Sequence, residues 1–179
     1  VSDVFVTDAF AAAHRRSPTL TGFTNSIPCI AGILMEKEMR SLRKALKDPP
    51  SPYLAILGGA KCDDSVRVAL NLISKGEVDR IAFVGVTGNL MLWIDGNDIG
   101  ERNRDFIRNT LGDDFEIAWE MAERILSEHP EKAFLPLDVA IDSDGRRIPL
   151  SINELPTEDP IYDVGLETLR ALKPLVEDA

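Results

Sequence analysis

Short apolar segments alternate with amphipathic helical segments along most of this chain, and this alternation limits the possible folds more than any other feature. After the apolar run at residues 53–57, the residues that share one helix face at the i, i+3, i+4 and i+7 spacing are Val66, Ala69, Leu70 and Ile73. Strands joined through helices pair in parallel, because each helix carries the chain back across the sheet. The pattern therefore predicts an α/β fold with a partial doubly wound parallel sheet and flanking helices.

Further segments supply the remaining strands and helices. "DSDGRR" predicts a hairpin between Asp138–Ile141 and "IPLSI", because Asp-Gly pairs favour tight turns between antiparallel strands. The other predicted strands are Val4–Val6, Arg80–Val84, Ala133–Leu135 and Ile161–Val164; the other predicted helices are "VTGNLMLWIDG", Arg102–Leu111, a segment from Phe115 that stops at Pro130, and Leu166–Val176. Roughly four or five strands can be parallel, about half of a doubly wound domain.

A proline-rich break divides the chain. The helix before it carries Met35, Met39, Leu42 and Leu46 on one face, and it follows the loop-like stretch "GFTNSIPCIAG". It ends in "KDPPSP", where three prolines prevent the helix from continuing. The break predicts a boundary between structural units.

Composition excludes several classes of function. The formal net charge of −10 disfavours binding to phosphodiester backbones, so no nucleic-acid partner is predicted. No apolar run reaches the roughly 18 residues of a membrane span, and no signal peptide precedes the first strand. Cys29 and Cys62 are predicted to be reduced thiols of a cytoplasmic protein. Because Val1 stands in place of an initiating Met, we expect a piece of a longer product or a trimmed chain.

The stretch "AILGGAKCDDS" is the strongest candidate site. Gly58 and Gly59 end an apolar strand where a helix begins, so the backbone there can approach a ligand and the helix N-terminus can face an anion. Lys61 adds a compact positive charge that can neutralise a phosphoryl group. However, the spacing is not that of a P-loop, and Asp63 and Asp64 suit a helix N-terminus for dipole reasons alone. A phosphate cradle and a plain strand-to-helix turn both remain open from these residues.

Other candidates carry weaker signals. His14, Arg15 and Arg16 form a dense basic spot, which suits a phosphate or carboxylate but on local sequence is more typical of a solvated turn. "VGVTGN" follows a neighbouring strand and either flanks the same ligand or forms a short loop. "DSDG" lacks the remaining ligands of a calcium loop, so no metal site is predicted.

Five stretches together resemble phosphoglycerate kinases in their order and spacing. They are "DVFVTDAFAAAHR", "AGILMEKEM", "PYLAILGGAKCDDS", "FLPLDVAI" and "YDVGLETL", and "VGVTGN" with "WIDGNDIG" resembles the archaeal branch. The resemblance implies two Rossmann-like domains joined by a connector helix, and reversible phosphoryl transfer between ATP and 3-phosphoglycerate in glycolysis and gluconeogenesis. It implies that residues 1–30 end the N-terminal, substrate-binding domain, residues 31–49 form the interdomain helix, and residues 50–179 begin the C-terminal, nucleotide-binding domain.

The resemblance also implies roles for individual residues. Arg15 matches an arginine that contacts phosphoglycerate, which raises the interest of that basic spot. Lys61 matches the lysine that accompanies the transferred phosphoryl group and stabilises its charge. Gly58, Gly59 and Ala60 match the backbone that lines the site for the magnesium complex of ATP or ADP, where Mg²⁺ is bound through the nucleotide.

Four more implied nucleotide-binding positions include departures from the family pattern. Ser65 stands where many members have a second lysine, so a hydrogen bond replaces a charge. Gly85 is the one glycine left of a triplet, now Val84-Gly85-Val86. Tyr162 replaces the leucine before Asp163.

Segments that resemble the rest of the family are missing at both ends, including the aspartate/asparagine motif that grips phosphoglycerate and the glycine-rich "GGGD". We therefore expect these 179 residues alone to be inactive. Two alternatives stay open: a non-catalytic piece that self-associates through exposed edges and apolar faces, and a stand-alone nucleotide-binding α/β module.

Overall fold

The computed structural model describes residues 2–47 and 49–179, which divide into two compact units, residues 1–49 and 50–179. Val1 and Asp48, which belong to the predicted segments 1–30 and 31–49, lie outside the described residues. The assignment of these segments to domains of a longer protein stays a prediction. Across the described ranges, every helix falls short of the length and hydropathy that a membrane-spanning helix requires.

The first unit consists of two short parallel strands and two helices. Strands β1 (Phe5–Thr7) and β2 (Cys29–Ala31) pair in parallel; helix α1 (Pro18–Thr21) lies between them in the chain, and helix α2 (Ile33–Lys47) follows β2. Strand β2 lies in the stretch predicted as a loop, and the alanine stretch forms only a 3₁₀ turn at Phe10–Ala12. Asp8 accepts a hydrogen bond from the backbone N–H of Met35 at 2.8 Å, which satisfies a free donor at the start of α2.

The second unit contains a parallel sheet with helices connecting its strands. The sheet has the order β3 (Leu54–Leu57), β4 (Arg80–Phe83) and β5 (Ala133–Phe134). The connecting helices are α3 (Cys62–Ser74), α4 (Gly85–Ile94), α5 (Glu101–Leu111) and α6 (Phe115–Glu128). These elements agree with the predicted alternation and confirm the α/β class.

A second, antiparallel sheet differs from the expectation of a mainly parallel arrangement. Its order is β7 (Arg146–Ser151), β6 (Asp138–Ser143) and β8 (Ile161–Val164), and helix α7 (Leu166–Asp178) follows β8. The hairpin β6–β7 was predicted from its Asp-Gly turn, but β8 also runs antiparallel to β6. Among the described residues five strands pair in parallel, which agrees with the predicted four or five, but two of them lie in the first unit and three in the second.

The core of the second unit lies around β4, where helices α3, α4 and α6 meet. The fully buried apolar side chains there include Val66, Ala69, Ile81, Phe83, Leu90, Met91, Ala118, Ala122 and Ile125. Burial of each large one contributes about 1.5–3 kcal/mol to folding. Trp93 and Trp119 pack edge to face with ring centroids 4.8 Å apart. This packing holds the carboxyl ends of β3 and β4 side by side, where the candidate site lies.

Candidate functional site

Two glycine turns meet where the parallel strands β3 and β4 end. An ideal Cβ on Gly58 would lie 2.7 Å from Val84 Cγ2 and 3.0 Å from the Val84 carbonyl oxygen. An ideal Cβ on Gly85 would lie 3.5 Å from the backbone nitrogen of Gly59. Gly59 and Gly85 have φ angles of +107° and +56°, which side chains rarely allow. The close approach of the two turns therefore depends on glycine at these positions.

Side-chain hydroxyl groups hold the first turn in place. Thr87, fully buried in α4, donates a hydrogen bond to the Gly59 carbonyl oxygen at 3.2 Å. Ser65 Oγ donates to the Gly58 carbonyl oxygen at 3.3 Å. The hydroxyl that was predicted for the nucleotide thus supports the turn that precedes Lys61. Thr87 was missed by sequence reasoning, because a threonine in an apolar helix carries no local signal of a long-range partner.

Lys61 lies at the N-terminus of α3, directly after the glycine turn. It is exposed, and no ion pair involves it within residues 2–47 and 49–179. Asp63 and Asp64 occupy the first turn of the helix. The free lysine charge and the helix N-terminus together favour an anion at this position. Ala60, which was predicted to line the same site, is also exposed.

Cys62 lies behind the glycine turn as a fully buried thiol. Burial raises the pKa of this thiol, and a hydrogen bond with Thr87 lowers it by a smaller amount. The resulting pKa is about 11. Its Sγ lies 3.6 Å from the Ala60 carbonyl oxygen. The neutral thiol therefore fills space beneath the turn and is a poor nucleophile.

Asp163 brings the end of β8 to the same place. Its Oδ1 accepts a hydrogen bond from the Gly85 N–H at 3.2 Å and another from the Val164 N–H at 2.8 Å. The structure thus brings together Gly58, Gly59, Gly85 and Asp163, although 105 residues separate the first from the last. Because Asp163 already holds the Gly85 N–H, that donor faces a carboxylate in this structure.

A cleft of about 520 Å³ opens beside the end of β8. Tyr162, 64% exposed, lies on one side and Phe106 of α5, 54% exposed, on another. Val86, Asn103 and Pro160 are also among its lining residues. Aromatic faces at an open cleft can stack on a planar ring. Only Tyr162 was predicted; Phe106 shares α5 with the apolar Ile107 and Leu111, so the sequence carries no signal that this ring, and not those side chains, is exposed at the cleft.

Arg15 belongs to the first unit. It is exposed after the 3₁₀ turn, and its Nε donates to His14 Nε2 at 3.4 Å. The guanidinium forms no ion pair in the described part of the chain, so it can accept an anionic ligand.

Known proteins resemble the chain throughout its length. A family model described as phosphoglycerate kinase matches residues 1–179. The chain is 38% identical over 179 residues to a phosphoglycerate kinase of Methanothermus fervidus, and 41% identical over 178 residues to one of Thermoplasma acidophilum. These matches cover 100% and 99% of the chain but 43% of each relative, so the chain spans less than half of their length.

Solved structures give the same result. The phosphoglycerate kinase of Pyrococcus horikoshii matches with a TM-score of 0.86 and 32% identity, over 97% of this chain and 43% of that one. The phosphoglycerate kinase of Coxiella burnetii matches with a TM-score of 0.71 and 29% identity, over 99% of this chain and 44% of that one. The predicted resemblance to the archaeal branch is confirmed by the archaeal relatives. The chain belongs to the phosphoglycerate kinase family.

Proposed function

We propose that the protein containing this chain transfers a phosphoryl group reversibly between ATP and 3-phosphoglycerate. The observation that supports this most is the meeting of two glycine turns beside Lys61, which lies at a helix N-terminus and forms no ion pair with the residues that the structure describes. Phosphoryl transfer needs positioning and charge stabilisation more than covalent participation by the protein. Lys61 supplies a cation for the charge on the phosphoryl oxygens, while Gly58, Gly59 and Ala60 let the phosphates lie against the backbone.

The charges around the cradle favour a nucleotide that arrives with a metal ion. Asp63 and Asp64 follow Lys61 in the first turn of α3, and Asp163 bonds the N–H of Gly85 in the neighbouring turn, so these carboxylates outnumber the charge of Lys61 and would repel a bare polyphosphate. ATP or ADP bound to Mg²⁺ carries less negative charge than the free nucleotide. These carboxylates therefore repel the metal complex less. Ser65 donates a hydrogen bond to the Gly58 carbonyl oxygen and so fixes the turn against which the phosphates bind.

The cleft between Tyr162 and Phe106 is suited to the nucleoside. It opens next to Gly85 and Asp163, so a ligand with phosphates at Lys61 can extend its ring system toward the aromatic side chains. Base stacking on aromatic faces contributes without reading a specific base edge. We assign the base to this cleft.

Arg15 would bind 3-phosphoglycerate, since a guanidinium can hold a phosphate or carboxylate through two hydrogen bonds. We place the protein in the cytoplasm, in keeping with its two free thiols. Because the chain matches only 43% of its relatives' length, we further propose that residues 1–179 alone are inactive.

A second candidate function is self-association of a non-catalytic piece. It is supported by apolar side chains exposed on α2, where Ile33 is 85% exposed and Leu34, Leu42 and Leu46 are each 47% exposed. Such a face tends to associate with another apolar surface. A third candidate is a stand-alone module that binds nucleotide through the cradle but transfers no phosphoryl group.

The deciding experiment measures turnover by the natural-length protein and by residues 1–179. With ATP, Mg²⁺ and 3-phosphoglycerate, the natural-length protein should form ADP and 1,3-bisphosphoglycerate, and omission of 3-phosphoglycerate should abolish ADP formation. Tight binding of Mg-ATP without turnover would favour the stand-alone module. A dimer of residues 1–179 in light scattering, without nucleotide binding, would favour self-association.

A further inference from the structure

The outer edge of β8 is bonded by two buried asparagine side chains. Strand β8 ends its sheet, and in the described part of the chain no strand pairs with its outer edge. The Ile161 N–H donates to Asn103 Oδ1 at 2.9 Å, and Asn89 Nδ2 donates to the Ile161 carbonyl oxygen at 3.2 Å. Two amides, one from α5 and one from α4, thus replace the hydrogen bonds of a neighbouring strand.

Both polar atoms of the Asn103 side chain are used in hydrogen bonds with the backbone. Its Nδ2 lies 2.9 Å from the Ile99 carbonyl oxygen, 3.1 Å from that of Asp159 and 3.3 Å from that of Thr157. The partners fix the orientation of the amide, because carbonyl groups only accept and the Ile161 N–H only donates. Although Asn103 lines the cleft, its amide has no free donor for a ligand.

The segment held in this way carries the residues that face the proposed nucleotide. Pro160, Ile161 and Tyr162 line the cleft, and Asp163 bonds the Gly85 N–H. Gly100, just before α5, packs closely against the segment that leads into β8, because an ideal Cβ on it would clash with the Thr157 carbonyl oxygen. Thus β8 is held on its outer side by the two helices that border the cleft.

We propose that Asn89 and Asn103 are positioning residues that set the place of Tyr162 and Asp163 for nucleotide binding. The inference rests on the proposed function. Both asparagines are buried, with 4% and 6% exposure, so loss of either amide leaves backbone groups of β8 without a partner. The strand then shifts, and the wall of the base cleft shifts with it. The turn before Lys61 is held by Ser65 and Thr87 and makes no hydrogen bond with these amides; only the Gly85 turn beside it meets β8, through Asp163.

The test compares two ligands by isothermal titration calorimetry with the natural-length protein. ADP with Mg²⁺ uses the cradle and the cleft, whereas inorganic tripolyphosphate with Mg²⁺ uses the cradle alone. We expect Asn103→Leu to weaken ADP binding about tenfold and to leave tripolyphosphate binding within about twofold, as expected when buried backbone groups lose their partners. Asn89→Ala, which removes one bond, should give a smaller loss of the same kind.

Asn97→Leu is the matched control. Its amide also donates to a backbone carbonyl, that of Leu92 at 3.2 Å, but it does not touch β8. It should leave the binding of both ligands unchanged. The ATP KM of the kinase reaction should rise in Asn103→Leu and Asn89→Ala while kcat changes less, a split that general loss of folded protein would not produce.

Two results would overturn this inference and leave the proposed function standing. The first is folded Asn89→Ala or Asn103→Leu protein that binds ADP as tightly as the unmodified protein does. The second is an equal loss of affinity for ADP and for tripolyphosphate. If Asn103→Leu fails to fold, Asn89→Ala decides. If the unmodified protein neither binds ADP nor phosphorylates 3-phosphoglycerate, the proposed function fails and the inference fails with it.

Discussion

The backbone N–H of Gly85 donates a hydrogen bond to Asp163 Oδ1 across 3.2 Å, and this bond joins the two sheets of the second unit. Gly85 begins the helix after β4 of the parallel sheet, and Asp163 lies in β8 of the antiparallel sheet. The bond links the glycine turn at the end of β4 to the segment of β8 that lines the cleft beside Tyr162. At 3.2 Å and at an exposed site, the bond is an ordinary hydrogen bond that contributes about 1 kcal/mol.

Replacement of Asp163 tests this bond. Asp163→Ala should lower the free energy of unfolding by about 1 kcal/mol, because Gly85 and Val164 lose their acceptor at an exposed site. Asp163→Asn keeps an acceptor oxygen and should cost less. Urea unfolding followed by tryptophan fluorescence checks both variants. Equal stability of Asp163→Ala and the unmodified protein would contradict the role of the bond.

Gly58→Ala should separate the ends of β3 and β4. The new Cβ would lie 2.7 Å from Val84 Cγ2, and such overpacking costs about 1–3 kcal/mol. Val84→Ala in the same chain should restore part of the loss, because it removes Cγ2 but not the carbonyl oxygen at 3.0 Å.

Gly76→Ala is the control for this pair. It places alanine at a φ of +67° in an open turn, so backbone strain of about 1–2 kcal/mol is its whole effect. Val84→Ala should not rescue it, and equal rescue of both glycine variants would contradict the steric explanation. Thermal unfolding of both glycine variants, each with and without Val84→Ala, and of Val84→Ala alone gives the comparison.

Lys61→Ala should lower kcat of the natural-length protein roughly 100-fold while the nucleotide KM rises much less, because the cation acts mainly on charge that develops in the transition state. Lys75→Ala, which removes the exposed lysine after the other end of α3, should change neither value. Steady-state kinetics with ATP and 3-phosphoglycerate decide. An unchanged kcat in Lys61→Ala would refute the role given to this lysine.

Asp138 should make the fold sensitive to acid. Its burial raises the pKa, but hydrogen bonds from the Thr168 hydroxyl and from the N–H groups of Thr168 and Glu167 lower it below the ordinary value. A lowered folded pKa means that the stabilisation is complete above the unfolded pKa, about 3.9, and is lost as pH falls through the folded pKa.

Asp138→Asn should therefore lower the free energy of unfolding by about 3 kcal/mol at neutral pH. As the pH falls below roughly 5, the variant should lose less further stability than the unmodified protein. Asp144→Asn, in the exposed hairpin turn, is the control and should follow the unmodified protein. Urea unfolding across this pH range gives the comparison. An identical acid response in Asp138→Asn and the unmodified protein would show that other carboxylates dominate.

The two thiols should react at different rates. Cys29 is exposed, whereas Cys62 is fully buried with its pKa raised to about 11 by burial. Under native conditions a disulfide reagent should modify Cys29 first, and Cys62 only through unfolding or local opening. Cys29→Ser should abolish the fast phase and Cys62→Ser the slow one. A fast phase that survives in Cys29→Ser would contradict the burial of Cys62.

Most elements of the second unit follow from the sequence. The strand predicted at Ile161–Val164 has the same bounds in the structure, and the predicted helix at Arg102–Leu111 begins one residue earlier. Hydrophobic period and turn residues are local properties, so they determine where a strand or helix forms. The Asp-Gly turn also determined the antiparallel pairing of β6 and β7, since the two strands are adjacent in sequence.

The partner of β8 was decided only by tertiary structure. An alternating pattern shows which face of a strand is buried but not which strand lies beside it. The same limit applies to Asn89, Asn103 and Thr87, whose partners lie 28 to 72 residues away in the chain. Nothing near such a residue indicates whether its polar group will meet a backbone group after folding.

The glycines and Lys61 were found from sequence because a strand end, a flexible turn and a helix start are adjacent in the chain. The sequence by itself thus determined this glycine turn and its lysine as a set of neighbouring residues. The tertiary structure decided that Gly85 and Asp163 close its far side and that Phe106 faces the same cleft as Tyr162. These relationships arise when the buried faces of α3, α4 and α6 pack around β4, a step that depends on the whole unit at once.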